Sequence, residues 1–248
     1  MSSYYRNEKF HYIVSNPPFK LDFSDYRNDL EKDKERFFAG IPKIPKKDVD
    51  KMSIYLLFIQ HIMYCLDETK GKAAIVVPTG FITAQSGIEK KIREAMIQRK
   101  ILRGVVSMPS NIFASTGTNV SVLFLDAKAD EKQVVLVDAS KLGQTVKDGK
   151  SQRTILSPTE EGHIIAAMND KQAEVDFSVV VSYDQIKEKN YSFSAGQYFE
   201  VKIEYTDISA KEFEAKLNGF KSNLVNLFAE SKALEIEIQK QLNELKYE

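Results

Sequence analysis

Short apolar runs, punctuated by glycine and proline, alternate with apolar stripes at helical spacing through the first half of this chain. Tyr12 to Ser15 reads as a strand, closed by Pro17 and Pro18. Ser53 to Leu66 is apolar nearly all round, the pattern of a buried helix. Ala73 to Val77 reads as a buried strand of the parallel type, stopped by Pro78. Ile88, Ile92 and Met96 recur at helical spacing between Gly87 and Arg99, with Glu and Lys on the other face. Ile101 to Val106 and Val120 to Leu125 are two further strands, and Gln133 to Val137 a shorter one. The stretch from 107 to 119 is short for a helical crossover, so the strands it joins are expected as antiparallel neighbours. Residues 20–52 are polar and charged and read as an insertion or loop with room for a helical turn.

Beyond Ser151 the texture changes. Thr159 to Asn169 patterns as a helix, Val179 to Lys187 has no clear period, and Asn190 to Phe199 reads as a loop carrying aromatics. Ala210 to Lys246 is one long helical pattern. Its apolar residues, from Phe213 and Leu217 through Leu234 and Ile238 to Leu245, recur mostly at three- and four-residue steps. Such a stripe, about 50 Å long, fits a coiled coil or packing against a partner. Alternating strands and helices predict an α/β fold with a doubly wound sheet. Two domains are expected, residues 1–150 and 151–248.

Composition adds exclusions. Hydrophobic residues make up 43% and charged residues 28%, ordinary values for a globular protein. Lys+Arg and Asp+Glu balance at 35 each, which argues against a strongly DNA-coating surface but leaves room for a local basic groove. Cys65 is the sole cysteine, so internal disulfides are impossible and a reducing cytoplasm fits. No apolar run reaches membrane-spanning length. His61 and Cys65 stand one helical turn apart, but two ligands do not make a metal site, and a core histidine is the plainer reading. Lys43, Lys46, Lys47 and Lys51 read either as a phosphate-contacting loop or as a solvated linker.

The chemistry concentrates in Asn16-Pro17-Pro18-Phe19, directly after the first strand. An exocyclic aromatic amine is a poor nucleophile, because its lone pair is delocalised into the ring. Two hydrogen-bond acceptors can take both N–H groups and draw the nitrogen toward a tetrahedral geometry. Asn16 offers a side-chain carbonyl, and Pro17 a backbone carbonyl on a stiff turn. Phe19 offers a flat face on which an extruded base can stack. The plain alternative is a strand-ending turn that happens to hold two prolines. Its place at the carboxyl end of a predicted parallel strand, where open α/β sheets bind ligands, favours chemistry.

Several segments in order resemble the modification subunit of type I restriction-modification systems, an S-adenosylmethionine-dependent DNA adenine-N6 methyltransferase. Tyr12 to Phe19 resembles the catalytic strand and turn of that family, and Arg36 to Pro42 its following loop. Phe58 to Tyr64, Gly71 to Gly80, Ile92 to Glu94, Val106 to Phe113, Thr116 to Leu125 and Tyr191 to Phe199 follow in family order. The resemblance implies a partial Rossmann-like, S-adenosylmethionine-dependent methyltransferase sheet with a C-terminal helical tail. It implies that Asn16, Pro17 and Phe19 are catalytic, with Pro18 and Phe19 holding the target adenine. It implies DNA as substrate, a specificity subunit packed on Ala210 to Lys246, and a restriction subunit in the full complex.

The departures shape the expectation. No two glycines are spaced by a single residue, so the family's Gly-x-Gly cofactor turn is missing and the cofactor-binding residues are unknown. The linker from Ile44 to Met52 is longer than the family pattern. The chain is therefore expected to be the C-terminal half of such a subunit, from a shortened reading frame or a truncation. It should bind S-adenosylmethionine weakly and be inactive alone. Its Tyr12–Ser15 strand should present an open edge that self-associates or is covered by the first residues. Two other functions stay open: a non-catalytic assembly module, and an Asn-Pro-Pro-aromatic methyltransferase acting on protein glutamine or RNA.

Overall fold

The computed structural model describes residues 8–113, 118–128, 133–149, 151–200 and 208–244. Its strands are β1 (Tyr12–Ser15), β2 (Lys72–Pro78), β3 (Leu102–Ser107), β4 (Val120–Asp126), β5 (Gln133–Asp138), β6 (Gln144–Asp148), β7 (Ser151–Ile155) and β8 (Ser178–Ser182). Its helices are α1 (Arg27–Leu30), α2 (Tyr55–Cys65), α3 (Gly80–Thr83), α4 (Gly87–Gln98), α5 (Pro158–Asp170), α6 (Tyr183–Glu188) and α7 (Ala210–Glu244). Residues to Glu200 form one compact unit and Val201–Glu248 a second.

Six strands build the main sheet in the order β1-β2-β4-β3-β5-β8. β1 and β2 run parallel, with Ser15 opposite Ile75. β4 lies antiparallel between β2 and β3, as the short 107–119 connection predicts. β3 and β5 are parallel, and β8 is antiparallel to β5. The carboxyl ends of β1, β2, β3 and β5 therefore share one rim of the sheet. At Gly104 in β3 an added Cβ would stand 2.6 Å from the Val135 carbonyl and 2.7 Å from Met168 Cε. Only glycine lets the strand and α5 approach so closely there.

The alternation of β2 explains the layering. Ala73, Ile75 and Val77 are buried against α2 and α4, where they join Ile59, Ile92, Met96 and Leu123 in the main core. The opposite face packs α5 over β3 and β5, through Ala167, Val106, Val135 and Val137. That cover stops short of β1. Tyr12 is 78% exposed and Val14 87%. Together with Ala74, Phe124, Ile165 and Met168 they line a largely apolar groove of about 400 Å³. β1 pairs with β2 on one side only, so its other edge is open among the described residues. The expectation that the first residues fold over that edge lies largely outside the described residues.

Two segments carry more structure than their residue pattern shows. The boundary expected at residue 150 lies between β6 and β7, where Gln144 to Asp148 pair with Ser151 to Ile155. Residues 151–200 belong to the first unit, because Val179, Val180 and Val181 complete the sheet beside β5. The segment without clear period is thus half strand and half helix, and the switch is marked by Ser182. Its hydroxyl accepts from the Gln185 N–H, while the Gln185 side chain accepts from the Ser182 N–H, a capping box that starts α6. Residues 20–52 are also more than a loop: Phe23, Phe37, Ile41 and Met52 form a small core of their own with Leu57 of α2.

The second unit is α7. It is a 35-residue helix with no buried residue. Its Ser209 cap receives the Glu212 N–H, and the Glu212 carboxylate accepts from the Ser209 N–H and hydroxyl. The last residues of the expected Ala210–Lys246 helix lie outside the described residues.

Candidate active site

Asn16, Pro17, Pro18 and Phe19 leave the carboxyl end of β1 at the shared rim. Pro17 is buried and holds the turn, while Asn16 and Pro18 are exposed. Among the described residues no hydrogen bond reaches the Asn16 amide or the Pro17 carbonyl.

Phe19 is half-buried and meets Tyr55 of α2 edge to face, with ring centroids 6.2 Å apart at 74°. Tyr55 in turn meets Phe81 of α3 at 6.2 Å and 83°. The Tyr55 hydroxyl is pushed well above the usual phenol range, by burial first and by Glu89 second, so it stays neutral. Phe19 is thus tied through two edge-to-face ring contacts to the core, which restrains its angle.

The neighbouring loop after β2 is held from both sides. Thr79 donates its N–H to the Asn119 carbonyl at 2.8 Å, and its hydroxyl lies 3.2 Å from that of buried Ser121. Asn119 therefore sits beside Thr79 at this rim, as a structural partner of the loop. Thr116 and Gly117 lie outside the described residues.

Arg93 is the residue whose importance the residue pattern alone does not reveal. It is wholly buried, although its position in α4 alternates with apolar neighbours. Its guanidinium donates to the carbonyls of Phe81 and Ala84, and to that of Tyr191 at 2.7 Å. It lies 5.7 Å from the ring centres of both Phe81 and Phe193. Burial draws its pKa down to about 10, opposed by Glu89 and Glu94. One cation thus ties α3 to the aromatic segment at 191–199. Phe193 adds a backbone bond to the Ile82 carbonyl, so this segment is a packed strap and not a free loop.

The Arg36–Pro42 loop is braced on α2. Buried Gln60 accepts from the Ala39 N–H at 2.8 Å and donates to the Gly40 carbonyl at 3.1 Å. Arg36 lies over the Tyr64 ring and Arg99 over Phe38. Phe37 and Ile41 are buried, so they support the site and do not face a ligand. Lys43, Lys46 and Lys47 are exposed, and Lys51 pairs with Asp48 at 3.1 Å. His61 and Cys65 touch only weakly, Nδ1 to Sγ at 3.5 Å, and their shifts reflect desolvation: the imidazole pKa is lowered and the thiol raised. No group of three or more His, Cys, Asp or Glu arranged to hold a metal occurs among the described residues.

The sequence holds no Gly-x-Gly turn, and among the described residues one edge of β1 is unpaired. No helix among the described residues is long and apolar enough to cross a membrane.

Comparison with known proteins places this geometry in a family. The N-6 DNA Methylase family model matches residues 2–207. The type I restriction enzyme MpnII methylase subunit of Mycoplasma pneumoniae is 31% identical over 82% of this chain and 35% of its own length. The HindI methylase subunit of Haemophilus influenzae is 25% identical over 98% of this chain and 53% of its own. The chain thus spans between about a third and a half of these curated relatives. Among solved structures, the type I restriction-modification methyltransferase subunit of Streptococcus thermophilus superposes with a TM-score of 0.61 at 24% identity, covering 77% of this chain and 38% of that one. The family model covers well over half of the sequence: the chain belongs to the N-6 DNA methylase family.

Proposed function

We propose that this chain is the base-presenting part of a type I restriction-modification DNA adenine-N6 methyltransferase. The observation that carries the reading is the turn at the end of β1, where two unengaged acceptors stand beside an anchored aromatic ring. Asn16 Oδ1 and the Pro17 carbonyl would accept the two N–H groups of an extruded adenine. That removes lone-pair delocalisation and aims the nitrogen. Phe19 would stack on the base, with Pro18 closing the turn, and Tyr55 keeps Phe19 at its angle. The methyl donor would be held by a polypeptide carrying the Gly-x-Gly half, seated against the open edge of β1. Without that half the same edge is free to pair with a second copy. The apolar stripe of α7 would pack on a specificity-type subunit, and a restriction subunit would join the complete assembly. The missing glycine turn and the wholly exposed α7 also support a non-catalytic assembly module.

Calorimetry and a methyl-transfer assay separate the two. Titration of S-adenosylmethionine into the chain should show no micromolar binding. Adding a Gly-x-Gly half from a related methylase, with its specificity subunit, should restore methylation of adenine in DNA, and Asn16→Ala should lower it about 100- to 1,000-fold. Restored complex without transfer would leave only the assembly role. Micromolar binding of the cofactor to the chain alone would overturn the division of labour.

A further inference from the structure

α7 carries more than an apolar stripe: its charges specify a direction. With Leu217 at the first core position of a heptad, the core positions run Phe213, Leu217, Phe220, Leu224, Leu227, Ser231, Leu234, Ile238 and Gln241. Every apolar one is exposed on this helix. The flanking positions differ in charge along the helix. Glu214, Lys216 and Lys221 border the first half, whereas Glu230, Glu235, Glu237 and Glu244 border the second.

Two copies aligned in parallel would set Lys216 against the partner's Lys221, and Glu230 against the partner's Glu235. Both contacts repel. The core would also oppose Ser231 to the partner's Ser231, and Gln241 to the partner's Gln241. An antiparallel pair inverts this. Leu224 meets the partner's Leu234, and Phe220 meets the partner's Ile238. The small Ser231 lies opposite the partner's Leu227, and Gln241 opposite the partner's Leu217 at the end of the pairing. At the flanks Lys221 faces the partner's Glu235, and Lys216 faces the partner's Glu244. Phe228 meets its own counterpart across the two-fold axis. A single like-charge contact remains, Glu230 against the partner's Glu230.

The geometry points to α7 as an antiparallel self-pairing helix that joins two copies of this chain. The pairing is isologous, each contact occurring twice. Charge complementarity sets its direction and its register, while the leucines, Ile238 and the phenylalanines supply the buried surface. It uses no residue of the rim and would hold in a chain that transfers nothing, but it takes the stripe that a specificity-type subunit would cover, so it describes the chain without that subunit.

Sedimentation equilibrium of the full chain tests it, run in parallel on Val14→Lys so that pairing through the β1 edge is not mistaken for pairing through α7. Both should be dimers. Lys221→Glu should weaken the dimer about tenfold, and Lys221→Glu with Glu235→Lys should restore it. Under mild oxidation Leu224→Cys with Leu234→Cys should give a covalent dimer. Leu224→Cys alone should not, because two antiparallel copies hold that position about 15 Å apart along the axis. The natural chain, whose only cysteine is the buried Cys65, is the control. A monomer at 100 micromolar, efficient cross-linking of Leu224→Cys alone, or no response to Lys221→Glu with helix content intact would each overturn the proposal.

Discussion

Phe19 meets Tyr55 edge to face, ring centroids 6.2 Å apart, and so the last residue of the turn is aimed by a helix that begins more than thirty residues later. The contact joins the two halves of the site: a strand-end turn that presents acceptors, and a core that holds the platform still. Removing Tyr55 should act on both. Tyr55→Ala should cost about 3–5 kcal/mol in urea unfolding, the range for deleting a buried aromatic. Tyr55→Phe keeps both ring contacts and should cost about 1 kcal/mol or less.

Arg93 should resist every conservative exchange. Lysine cannot reach three carbonyls from one planar group, and methionine leaves them all unpaired. Arg93→Met should destabilise the chain by about 3 kcal/mol or more. Amide exchange should quicken at Phe193, whose N–H bonds to the Ile82 carbonyl in the strap that Arg93 ties down.

Asn16→Ala should leave the fold almost untouched, because the side chain is exposed and makes no bond among the described residues. Its unfolding free energy should move by less than about 0.5 kcal/mol. In an assembly restored with a cofactor-binding half, the same change should lower methyl transfer about 100- to 1,000-fold, the scale of losing one positioned hydrogen-bond partner of the reacting atom. Stability and activity are thereby separated at one residue.

His61 predicts a pH dependence. Burial first, and Arg36 second, lower its pKa below the ordinary 6.5, with Asp33 opposing. The unfolded chain therefore takes up the proton before the folded chain does. Stability from this group is complete above pH 6.5 and declines as the pH falls below it, levelling once the folded ring is also protonated. Denaturation midpoints measured from about pH 7 to 5 should fall more steeply for the natural chain than for His61→Gln.

Gly104→Ala tests the closest approach of α5 to the sheet. The new methyl group would press on the Val135 carbonyl, which the β3–β5 ladder keeps from moving. A loss of about 1–3 kcal/mol is expected, and Met168→Ala in the same chain should recover only part of it, since the backbone clash remains.

Much of the molecule was readable from residue order because it rests on local rules. The apolar run from Ser53 makes a buried helix wherever it packs, and the short 107–119 connection forces β3 and β4 antiparallel. The Asn-Pro-Pro-Phe turn follows its strand because proline ends the ladder. The β6–β7 hairpin turns at Gly149, whose φ of 61° favours glycine, but its polar strands hide the alternation.

Other features depend on which segments meet. Nothing local joins β8 to β5, since the two are separated by a hairpin and a helix. The pairing arises because three valines complete a sheet edge far away in the chain. Arg93 looks like one more charge on an amphipathic helix, and only the convergence of Phe81, Ala84 and Tyr191 gives its guanidinium acceptors inside the core. Asn16 and Pro17 carry their acceptors in their covalent structure. That those acceptors stand unengaged at the rim, beside a ring steadied by Tyr55, follows from packing between distant segments, which residue order does not encode locally.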